Sequence, residues 1–155
     1  MDEVRQRDPR QGYALEELTV GMQASYRHTL SDADIVAFAE LTGDHNPLHL
    51  DEEFARRTRF KGRIAHGMLS ASFISTVIAQ LPGSGTIYLS QSLNFRAPVR
   101  IGDTVEAQAT VTEIDAAKKR VRLATVCRVG ATVVIDGEAL VVVPSRAGVA
   151  PDVRS

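Results

Sequence analysis

HGMLSASFISTVIAQL, residues 66–81, decides the fold. Met68, Leu69, Ala71, Phe73, Ile74, Val77, Ile78 and Leu81 leave no wide charged face, and the polar members are mostly small hydroxyls: Ser70, Ser72, Ser75 and Thr76. A helix apolar nearly all round is buried on most sides. At about 1.5 Å per residue it would span roughly 22–24 Å. Pro82-Gly83 ends it. Beyond that point the period changes from 3.6 to 2. Ile87, Leu89, Leu93 and Phe95 alternate with polar partners, with Gln91 interrupting the apolar face. After an Ile101-Gly102-Asp103 turn, Val105, Ala107, Ala109 and Val111 alternate in the same way. Val121, Leu123, Thr125 and Cys127 follow, and a tight connection at Gly130 leads to Val133, Ile135, Ala139, Val141 and Val143.

This is a run of antiparallel strands, each about long enough to cross the helix. One buried helix followed by a meander with one apolar face has a simple solution: the sheet curls around the helix and buries it. The expected class is α+β, the hot-dog architecture. Such a sheet leaves an unpaired edge, which pairing with a second copy would remove, so a homodimer is expected.

The chain upstream fits this plan. Residues 1–16 are a polar N-terminal segment, residues 17–144 the single domain, and residues 145–155 a polar tail. Residues 22–30 read as a strand after a turn at Gly21. Ser31 has N-cap chemistry, with Asp34 three residues on, and the helix it starts ends at Gly43. Asp51 caps a short helix over 52–58, and a basic loop, Arg59-Phe60-Lys61-Gly62-Arg63, follows.

At 155 residues the chain is one ordinary domain that needs no disulfide or metal to fold. The single cysteine, Cys127, is expected to be a small buried residue in a reducing compartment. The charged opening MDEVRQRDPRQGY lacks the apolar core of a signal peptide, and no apolar run approaches the roughly 20 residues of a membrane span. A net charge of −1 gives nucleic acid no electrostatic hold. A soluble cytoplasmic protein acting on a small or tethered ligand is the expectation, with no membrane partner.

The chemistry concentrates in Gly43-Asp44-His45-Asn46-Pro47-Leu48-His49. A carboxylate, an amide and imidazoles crowd together there. Asn-Pro cannot continue a helix, so Asp44 and His49 are expected on an irregular segment. The i, i+4 spacing of His45 and His49 suggests a metal only on a helix, which Pro47 interrupts; no metal is expected. Ala65-His66-Gly67-Met68 opens the long helix. The first stretch reads as an acid/base pair and the second as an electrostatic clamp, since N–H groups at a helix start are free and the dipole is positive there. Glycine at 67 lets a ligand approach without a Cβ in the way. Alone, Asp44 reads more readily as a turn-capping residue and His49 as a structural histidine; the second motif turns the balance.

Two motifs, FAELTGDHNPLHLDEEFA (38–55) and IAHGMLSASFIS (64–75), together with IYLSQSLNFRAPVRIGD (87–103), resemble the MaoC-like (R)-specific enoyl-CoA hydratases of fatty acid metabolism. The resemblance covers roughly residues 17–144. It implies hydration of a trans-2-enoyl thioester to the (R)-3-hydroxyacyl thioester. It places Asp44 and His49 on the catalytic pair, Asn46 on an accessory site residue, Gly67 on the oxyanion donor and Ser75 on a hydroxyl near the pair. Ile78, one turn past Ser75 on the same helix face, is then expected to limit the acyl chain.

That chemistry needs a base for water attacking Cβ, an acid for Cα, and donors for the thioester oxygen. Asp44 and His49 share the first two jobs in either order. No cofactor is implied, coenzyme A being the substrate's carrier. Arg59, Lys61, Arg63 and Arg96 are candidate partners for its phosphates. Dehydration of 3-hydroxyacyl groups on acyl carrier protein uses the same residues and stays open. A non-catalytic acyl-thioester-binding module is opposed by the intact Asp44-Asn46-His49-Gly67 set, and a thioesterase by the motif itself.

Overall fold

The computed structural model describes residues 12–146. The order of elements is β1 (Gln23–Thr29), α1 (Asp32–Thr42), α2 (Pro47–Leu50), α3 (Glu52–Arg56), α4 (Gly67–Gln80), β2 (Ile87–Phe95), β3 (Thr104–Asp115), β4 (Arg120–Val129) and β5 (Thr132–Val142). The long apolar stretch forms the long helix of the fold. His66 is its N-cap and Leu81 its C-cap, so α4 is shorter by one residue at each end than the periodicity predicts.

The strands form one antiparallel sheet of 5 strands in the order β1-β3-β4-β5-β2. Val105, Ala107, Ala109 and Val111 of β3, Val121, Leu123 and Cys127 of β4, and Ile135, Ala139 and Val141 of β5 make its buried face. The sheet packs against α4 through β3, β1 and β4. Ile74, Val77 and Ile78 of α4 are buried in the resulting core. This is the expected α+β hot-dog fold.

Two features depart from the sequence reading. The meander comprises β3, β4 and β5 alone. β2 does not pair with the strand that follows it but crosses to the far edge and pairs with β5. There its apolar residues lie beyond the strands that α4 covers: Ile87 is 60% exposed, Leu89 45% and Phe95 54%. The interrupting Gln91 is accommodated by hydrogen bonds from its amide to Thr125 Oγ1 and the Ser92 carbonyl.

The second departure concerns the Asn-Pro segment. Asn46 is non-helical, as expected before proline, but Pro47 begins the one-turn helix α2 instead of leaving the chain irregular. Proline at a first helical position gives up an N–H that would be unpaired anyway, and its fixed φ suits the helix. Asn46 Oδ1 accepts from Leu48 N–H as the cap.

The remaining helix starts follow their sequence signals. Ser31 Oγ accepts from Asp34 N–H, the Asp34 carboxylate accepts from Ser31 N–H, and Gly43 closes α1 at φ 81°. Asp51 caps α3, which ends two residues before the predicted limit, where Thr58 Oγ1 turns back to the Ala55 carbonyl. Leu15 and Leu18 are buried, and Tyr13 N–H donates to the Leu81 carbonyl, so part of the polar N-terminal segment packs on the domain. The polar tail beyond residue 146 and the segment before residue 12 lie outside the described residues.

Candidate active site

Gly43 turns the chain out of α1, and Asp44 N–H donates to Thr42 Oγ1. The Asp44 carboxylate accepts from Asn46 N–H at 3.2 Å. The turn-capping role weighed from sequence is therefore present, on one carboxylate oxygen. Asn46 spends its own side-chain oxygen capping α2. One turn of helix then brings His49 inward, where it is buried while Asp44 stays exposed.

His49 is clamped from behind. Its Nδ1 lies 2.8 Å from the Ile64 carbonyl, which can only accept, so Nδ1 carries the proton in the neutral ring. That leaves Nε2 as the atom able to exchange a proton. The His49 carbonyl accepts from Arg63 Nε at 2.7 Å, and Arg63 also reaches Asp32 Oδ1 at 2.6 Å. Arg63, a candidate phosphate ligand from sequence, is thus engaged in holding α2 against the start of α1.

His66 completes the cluster, and the sequence reading gave it no role. It is buried, and its Nε2–H donates to the Asp44 carbonyl at 3.0 Å. Its ring lies against that of His49, with centroids 3.9 Å apart and planes 31° apart. Loss of solvation holds the His66 pKa below its ordinary value, so the ring is neutral near pH 7. One ligand-type atom from each of Asp44, His49 and His66 falls within 4.8 Å of the others.

Gly67 is the first residue of α4, where the backbone N–H has no intrahelical partner. A Cβ there would lie 2.7 Å from the Phe95 ring, so glycine is what lets that ring close over the helix start. His49, Gly67 and Ser70 share the lining of a cavity of about 420 Å³ whose apolar wall includes Met68, Phe95 and Ile135. Arg59 and Arg96 line the same cavity; Arg96 is paired with Asp136.

The MaoC like domain model matches residues 16–134. The chain belongs to this family. It is 54% identical over 132 residues to the (R)-specific enoyl-CoA hydratase of Rhodospirillum rubrum, across 84% of this chain and 92% of that protein. It is equally 54% identical over 132 residues to the 3-hydroxybutyryl-CoA dehydratase of Methylorubrum extorquens, across 84% of each. Among solved structures, the unliganded R-hydratase of Pseudomonas aeruginosa matches with a TM-score of 0.82 at 45% identity, covering 87% of this chain and 88% of that one.

Within this MaoC-like chain, the residues singled out from sequence divide in two. Asp44 and His49 come together beside His66, Asn46 N–H binds the Asp44 carboxylate, and Gly67 shares a cavity lining with His49. Ser75 and Ile78 do not join them. Ser75 is exposed on α4, beside a surface hollow bordered by Thr76, Ala79 and Gln80, and Ile78 is buried in the core. His66 and Ser70 were passed over: the first lay inside a quoted motif, and the second was read as a small hydroxyl on a buried helix.

Proposed function

We propose that this protein catalyses the reversible hydration of trans-2-enoyl-CoA to (R)-3-hydroxyacyl-CoA. The observation that carries the reading is the convergence of the Asp44 carboxylate and the His49 imidazole beside the head of α4, where His49 and Gly67 border one apolar cavity. The names of the relatives in R. rubrum and M. extorquens support the same reaction in its two directions.

On this reading the thioester oxygen accepts from Gly67 N–H. Water held between Asp44 and His49 loses a proton to one of them as its oxygen bonds to Cβ. The other delivers a proton to Cα on the same side, and charge on the thioester oxygen is held by the helix-start donor. The apolar wall takes the acyl chain. Arg59 stands at the cavity as a partner for the phosphates of coenzyme A, the substrate's carrier. The scheme uses no metal or redox cofactor, so EDTA leaves turnover intact.

The protein works as a homodimer in the cytoplasm. The exposed apolar residues of edge strand β2 support the dimer, and the lone cysteine, buried and with its thiol pushed up to about 11 by loss of solvation, suits a reducing compartment. No helix among the described residues is long and apolar enough to cross a membrane.

Purified protein mixed with crotonyl-CoA is expected to remove the conjugated thioester absorbance. The product should not reduce NAD with an (S)-specific 3-hydroxyacyl-CoA dehydrogenase. Unchanged absorbance overturns the activity, and rapid NADH formation overturns the stereochemistry.

A further inference from the structure

Among the described residues, the buried side-chain polar atoms without a hydrogen-bond partner are His66 Nδ1 and Ser70 Oγ. They flank Gly67 at the head of one helix, four residues apart, while the other buried side-chain polar atoms of the described residues are paired. Buried polar groups left unpaired cost stability, so each calls for a partner, which can be a water, an ion or a ligand. Ser70 is 1% exposed, borders the same cavity as Gly67, and has Cys127 of β4 packed against its carbonyl at 3.7 Å. Helical side chains lean back over the preceding turn, so the residue at i+3 covers the position of Gly67 itself. Ser70 therefore lies on the same side of the helix as Gly67, at the border of the cavity where the thioester of the proposed substrate would lie.

We propose that Ser70 is a catalytic residue whose O–H donates to the thioester oxygen alongside Gly67 N–H, completing a two-donor oxyanion site. The inference rests on the hydratase reading. A hydroxyl suits the task because it both donates and rotates, tightening on the oxygen as charge builds beside the apolar wall of the cavity. His66 cannot substitute for it: with Nε2–H committed to the Asp44 carbonyl, its neutral Nδ1 only accepts. No covalent step is involved; the hydroxyl keeps its proton throughout.

The test combines turnover with a spectroscopic readout of the bond. Wild type, Ser70→Ala and Ser70→Cys are assayed with crotonyl-CoA, and isotope-edited infrared spectra are taken with carbonyl-labelled butyryl-CoA, an unreactive saturated probe. In Ser70→Ala, kcat should fall about 10²–10³-fold, the range for one oxyanion donor lost while the other remains. KM should change little. The labelled carbonyl stretch should move to higher wavenumber, toward its value in an apolar solvent, and Ser70→Cys, a weak donor, should lie between. The melting temperature of Ser70→Ala should hold or rise, since an unpaired buried hydroxyl has been removed. Wild-type kcat and an unshifted carbonyl in a folded Ser70→Ala would overturn this proposal while leaving the hydratase reading standing. A wild type that neither hydrates crotonyl-CoA nor binds butyryl-CoA would overturn both.

Discussion

On the proposed hydratase reading, His49 acts through one nitrogen because its other nitrogen is held. With Nδ1–H fixed on the Ile64 carbonyl, the tautomer is set and Nε2 is presented to the site. Asp44 is held less firmly, by one backbone N–H on one oxygen. If both move protons through one water, Asp44→Asn and His49→Gln each lower kcat by about 10²–10⁴. The double variant is little worse than the poorer single one, because groups serving one transition state do not add. A full product of the two losses in steady-state kinetics would separate their roles. His66 makes a different prediction. Its folded pKa lies below the ordinary 6.5, so as pH falls the unfolded chain takes up the proton first. The stability gained from its neutral form is therefore complete above about pH 6.5 and is lost as pH drops from there toward the folded value. Asp44, His49 and His45 are the titratable groups around it. Urea unfolding at pH 7.5 and 5.5 should show a smaller difference in His66→Gln than in wild type; equal differences would mean that His66 does not titrate in this window.

At the scale of elements, the β2–β5 pairing rests on Gly137. A Cβ there would sit 1.8 Å from the Ser92 carbonyl oxygen and 2.7 Å from its carbon, and backbone on an adjacent strand cannot swing aside. Gly137→Ala is expected to cost about 3 kcal/mol in urea unfolding, the upper range for overpacking. Gly130→Asn, at φ 57° with nothing near its Cβ position, should cost under about 1 kcal/mol. This contrast also marks what the sequence could reveal. α4, the caps at Ser31 and Asp51, the turn glycines and the strands were legible because each is written in local periodicity or turn chemistry. The place of β2 was not, because period 2 says which face of a strand is apolar and nothing about which edge it joins. The same limit governs the site. Asp44, His49 and Gly67 sit in contiguous motifs, where a sequence reading can single them out. His66 and Ser70 stand out through a neighbour on another element and through an unpaired atom, neither of which a string of residues displays. Ser75 and Ile78 share a helix face by spacing, yet in the single chain that spacing leads away from the cavity.

At the scale of the molecule, the open question in the fold is what covers β2. The edge at β1 is dressed with polar and charged residues, and Arg27 pairs there with Glu106 across to β3. The edge at β2 presents exposed Ile87, Tyr88, Leu89 and Phe95 with one row of backbone groups unpaired. Such an edge invites another strand, and natural sheets that stay single place charge or proline on it. A second copy offering its own β2 would supply the matching row by a two-fold axis, the commonest closed arrangement. Phe95 links this surface to the site, since its ring also closes over Gly67. Light scattering should therefore give twice the mass of one chain. Leu89→Lys, on the edge and outside the catalytic cluster, should shift the mass toward a single chain by burying an unpaired charge in the interface. Because Phe95 would lose its cover with the partner, kcat/KM for crotonyl-CoA should fall with dilution in parallel with dissociation. A Leu89→Lys protein that stays at twice the chain mass would place the interface elsewhere, and a fully active single chain would detach the dimer from the chemistry.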